Sequence, residues 1–148
     1  MDMQEDGVLI GYYEGSDGPT IILISKAEQS MRLLRDIVSR LSTNDQLEMD
    51  LGNEPSIQLF DLSSFVLVSD DRKHKTFEQS VYVGRVKGGE KPQARWVKSR
   101  ARWKDTLELI NGLIASGGGR HQYLEEPFSE DAVIELSYKE EGVARWET

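Results

Sequence analysis

The sequence predicts an α+β fold: one domain over residues 1–148, a largely antiparallel β-sheet with two main α-helices, about 25–44 and 100–116, packed on one face. Three observations predict it. Short apolar runs rich in β-branched residues recur between turn-forming clusters, two longer stretches switch to a helical period, and 148 residues is the size of a domain that buries about two thirds of its unfolded surface.

The elements follow in order. Residues 7–13 and 20–24 are apolar runs separated by EGSDGP, so they read as two strands of a hairpin. Ser25 with Glu28 matches a capping box, and Met31, Leu34, Ile37, Val38 and Leu41 then recur at helical spacing while Arg32, Arg35 and Arg40 occupy other faces. Leu47, Met49 and Leu51 alternate with polar residues up to the break at 53–55, and 57–62 and 65–68 read as further strands. Val81 and Val83, the turn Lys87-Gly88-Gly89-Glu90 and residues 94–98 suggest a second hairpin with a basic tip. Trp103, Leu107, Ile110 and Ile114 fall on one helical face, which Gly117, Gly118 and Gly119 end. Residues 122–124 and 132–138 are short strands around a turn that contains Pro127.

Composition removes several function classes. The chain contains no cysteine, so a disulfide framework, a thiolate metal site and a cysteine nucleophile are excluded. The start MDMQEDGVLI is acidic where a secretory signal is basic, and no run approaches the roughly 20 apolar residues that span a bilayer, so the expected location is the cytoplasm. The net charge of −8 is unevenly spread: residues 85–104 carry +7 and the rest of the chain −15. An acidic body attracts a cationic partner, whereas the basic stretch would attract phosphates locally.

Motifs for chemistry are sparse. The triple glycine follows a helix, whereas a phosphate-binding loop precedes one, so it reads as a left-handed helix cap. His121 and His74 are the two histidines. Ser116, Glu125, Glu126 or Ser129 could serve His121 as a catalytic companion, which keeps a small-molecule enzyme as one alternative, but no nucleophile elbow is present. Asp70, Asp71 and His74 sit in a charged turn without metal-ligand spacing, and neither metal nor cofactor is expected. The run RWVKSRARW supplies cations and aromatic rings, so Arg95, Lys98, Arg100 and Arg102 form the candidate patch of a nucleic-acid binder using the basic 85–104 segment, the alternative that ranks ahead of the enzyme.

A helix with a glycine-rich end, then Gly119, His121, Gln122, Tyr123 and Leu124, an acidic turn, and an apolar strand over 133–138 ending in Ser137 and Tyr138 resembles the C-terminal part of several small bacterial immunity proteins, the antidotes to polymorphic or contact-dependent toxins. The resemblance runs from Trp103 onward, with Arg120 standing between the glycine and the histidine. It implies a non-enzymatic role: stoichiometric capture of a toxin domain in the cytoplasm. Charge points the same way, since an acidic domain is steered onto a cationic protein. The expected partner-binding residues are Glu125, Glu126, Glu130 and Asp131, with Tyr123 and Phe128 as aromatic anchors.

Overall fold

The computed structural model describes residues 7–16, 18–44, 46–72, 79–84, 91–125 and 130–140. The predicted basic hairpin tip, His74, Glu126 and Phe128 lie outside these residues. The first hairpin forms as the sequence predicts: β1 (Val8–Gly15) pairs antiparallel with β2 (Gly18–Ser25), and Gly18 takes a φ of 100° at the turn, a conformation that a side chain would strain.

Helix α1 (Glu28–Thr43) buries Met31, Leu34, Ile37, Val38 and Leu41, the predicted stripe, but starts later than the capping-box reading places it. Ser25 is held in the sheet instead, opposite Val8 on one side and Tyr138 on the other, while its carbonyl accepts from Lys139 N at 2.8 Å. Pairing on both sides outweighs one local cap. Ala27 becomes the N-cap, and the Ser30 hydroxyl accepts from Ala27 N at 3.4 Å and contacts the Ser25 hydroxyl.

The chain continues through β3 (Gln46–Asp50), a 3-10 turn at Leu51–Asn53, β4 (Ile57–Phe60) and β5 (Ser64–Asp70). β4 is shorter than predicted because Asp61 adopts a positive φ of 61°. β6 (Val81–Gly84) and β7 (Gln93–Lys98) pair antiparallel as the second hairpin. Helix α2 (Arg100–Ala115) is capped by Ser99, whose hydroxyl accepts from Arg102 N at 3.4 Å. It buries Trp103, Thr106, Ile110 and Leu113 and leaves Leu107 and Ile114 half-buried, so its inward stripe is rotated slightly from the expected one. Gly117, Gly118 and Gly119 all have positive φ and lead into β8 (Arg120–Glu125), which returns antiparallel to β9 (Val133–Tyr138).

An α+β fold is present, but the strands form two mixed sheets where one largely antiparallel sheet was expected. The first has the order β4-β1-β2-β9-β8 and the second β3-β5-β7-β6, with β1–β4, β2–β9 and β5–β7 parallel. Alternation and turn chemistry identify each strand without naming a neighbour reached by a crossover, which is why the parallel pairs escape a local reading. The helices pack on each other, α1 touching β2 and β5 and α2 touching β5 and β8, so they bridge the sheets. One apolar cluster unites Val8, Ile10, Ile21, Leu23, Ile134 and Leu136 from the first sheet with Phe65, Leu67, Val81 and Trp96 from the second. The opposite face of the first sheet carries a smaller cluster of Leu9, Ile22 and Ile24. No described helix is long and apolar enough to cross a membrane.

Candidate functional site

Two groups of polar side chains are organised by β8, and a β-bulge separates them. Along β8, His121 pairs with Ser137 and Tyr123 with Glu135, which puts all four on the outer face. The register then slips: Glu125 lies opposite Ile134, the position that regular pairing would give to Leu124. Because the bulge inserts one residue, Glu125 acquires the inward direction of Ile134, and Leu124 is buried as well.

Inside, the Glu125 carboxylate meets Trp96 Nε1, which donates at 3.1 Å, Lys98 Nζ at 2.9 Å and Arg102 at 3.7 Å. Lys98 is almost fully enclosed: its ammonium lies 4.6 Å from the ring centres of both Trp96 and Trp103 and donates to the Thr106 hydroxyl. Burial pulls the Lys98 ammonium down from 10.5 to about 8, and the Glu125 carboxylate limits the fall. Trp103 Nε1 donates to Val68 O at 2.9 Å, tying α2 to β5.

The other candidate acids are also engaged. Glu130 accepts from Ser80 N at 2.9 Å and from Val81 N at 2.5 Å, and burial raises its carboxyl pKa against the effect of those amides. Asp131 accepts from Val83 N at 2.9 Å, so the two acids anchor the start of β6. Glu125 and Glu130, expected to face a partner, are thus both engaged by groups of the chain itself. Of the expected partner-binding residues, Tyr123 is exposed at 40% and Asp131 is exposed while bound to the β6 backbone.

The candidate basic patch is divided rather than continuous. Arg95 and Lys98 project from opposite faces of β7; Arg95 lies 3.5 Å from Glu48, and Arg100 pairs with Asp71 at 2.7 Å. Asp71 accepts from both the backbone N–H and the guanidinium of Arg100, which together hold its carboxyl below the usual range. An open groove of about 630 Å³ runs beside the start of α2, where Arg100, Arg102 and Lys104 meet Ser42 and Thr43.

On the outer face His121 is about half exposed, with Nδ1 at 3.1 Å from Glu140 Oε2 and Nε2 at 4.0 Å from Glu135 Oε1. The hydrogen bond to Glu140 raises its pKa. Ser137 Oγ donates to Glu140 Oε1 at 2.7 Å. The carboxylate thus stands between serine and imidazole, whereas an activated serine needs the imidazole in the middle. Sequence reasoning singled out His121 but missed Glu135 and Glu140; the alternation of β9 carries a signal for Glu135, which shares its face with Ser137. It missed the Lys98–Glu125 pair because alternation alone sends Glu125 outward.

No protein-family model, curated protein or solved structure matches the chain.

Proposed function

We propose that this chain is a non-enzymatic protein-binding module of the immunity type, which captures a cationic toxin domain in the cytoplasm. The observation that supports the reading most is that the four cations of the candidate basic patch are engaged within the chain itself. Arg95 is paired with Glu48, Arg100 with Asp71, and Lys98 and Arg102 with Glu125, so the acidic surplus behind the net charge of −8 sets the outward field. Tyr123 offers an aromatic anchor on the outer face of β8, with Glu135 opposite it on β9 and Glu140 beside His121. Each of these groups is carried by a strand or its immediate end, which limits the ordering that association requires.

The test is capture of the tagged chain with bound material from native lysate of its source, with and without nuclease. A single protein retained near 1:1 after nuclease, bound more slowly at higher salt and weakened by Tyr123→Ala, supports the proposal. Material lost with nuclease transfers the function to the Arg100, Arg102 and Lys104 groove. A retained protein indifferent both to salt and to Tyr123→Ala removes this surface from consideration.

A further inference from the structure

We infer that the outer end of β8 and β9 is a binding site for a divalent first-row transition-metal ion, with His121, Glu135 and Glu140 as its ligands. Sequence spacing does not announce this site because three backbone features assemble it. The antiparallel register sets His121 and Glu135 as diagonal neighbours on one face. Lys139 then takes a φ of 53°, turning the chain just after β9 and bringing Glu140 to the imidazole.

One ligand atom from each residue lies within 4.8 Å of the other two. Imidazole nitrogen and carboxylate oxygen bind zinc at about 2.0–2.2 Å, so the ligands of one tetrahedral ion stand about 3.3–3.6 Å apart. Closing the set requires shifts of about an ångström, within the reach of two glutamate side chains. Nδ1 faces Glu140 at 3.1 Å and Nε2 faces Glu135 at 4.0 Å; because an ion takes one ring nitrogen, one of the two carboxylates swings round to join the other when it binds. The Ser137 hydroxyl fixes the second oxygen of Glu140, which is the outer support that ligating carboxylates commonly have.

The donor set selects the class of ion. Two carboxylates balance a double positive charge, and the imidazole favours zinc-like ions over calcium or magnesium, which prefer oxygen alone. Three protein ligands leave at least one position for water or for a donor from another molecule. The half-exposed ring of His121 gives the ion access from solvent.

The test uses the full chain, stripped with chelator and titrated with Zn2+ by calorimetry and with Co2+ by visible absorption. The expected result is one ion per chain, with affinity reduced about tenfold or more by each of His121→Ala, Glu135→Gln and Glu140→Gln, and unchanged by His74→Ala. Circular dichroism of each metal-free variant establishes that it is folded; if His121→Ala unfolds, the two near-isosteric glutamine variants decide. Failure of the wild type to bind either ion at millimolar concentration overturns the inference. Undiminished binding by the Glu135→Gln/Glu140→Gln double variant does so too.

Discussion

Glu125 balances two cations and an indole N–H on one carboxylate, so the residues it contacts depend on it unequally. Glu125→Gln leaves the Lys98 ammonium enclosed by tryptophans and beside Arg102, and removing one partner of a buried pair costs about 3–5 kcal/mol. Lys98→Met leaves Glu125 with Arg102 and Trp96, and should cost less, about 1–3 kcal/mol. Urea unfolding of both variants tests this order. The pair also sets a pH dependence. Since Lys98 titrates near 8 when folded and 10.5 is its ordinary value, the unfolded chain holds that proton more tightly between the two. The contribution of this group to stability therefore rises with pH across that window, while its desolvation cost persists in full below it. Subtracting the unfolding curves of Lys98→Met across the alkaline range should isolate this slope; an identical slope in the variant would assign it to other groups. The sequence half-discloses this cluster. Lys98 shares its strand parity with Trp96 and Ala94, an inward signal, whereas the direction of Glu125 comes from a bulge that no residue type on β8 advertises.

Helix α2 and its glycine-rich end offer three positions whose consequences differ in sign. Gly112 is exposed within the helix and a methyl group there would meet nothing within 4 Å, so Gly112→Ala should stabilise by about 0.5–1 kcal/mol. Gly118 has a φ of 104°, and an added Cβ would stand 2.8 Å from the Lys139 side chain. Gly118→Ala should destabilise by about 1–3 kcal/mol, and by more than Gly117→Ala, whose space is open. Thermal unfolding of the three variants checks the ranking. Elements were readable in the sequence wherever one period governs. The apolar stripe of α1 follows directly from spacing, and the continuous run Ile21–Ile24 belongs to a strand with neighbours on both sides. The parallel pairs and the late start of α1 were not readable, because each depends on a strand far away in sequence: β4 for β1, and β9 for β2.

Across the molecule, the two sheets share one apolar cluster through the helices, so neither can lose its inner face without exposing the other. Unfolding should be a single cooperative transition, and coincidence of the far-ultraviolet and fluorescence curves in urea would establish it. That cluster contains an optical consequence. Trp96 and Trp103 meet edge to face with ring centres 4.7 Å apart, close enough for their excited states to couple, and an ammonium sits against both. Whatever pulls the bulge of β8 outward must draw Glu125 away from this pair and change the electric field at the indoles. The molecule thus carries its own spectroscopic gauge, readable without an added dye, of whether an event at the sheet edge reaches the interior.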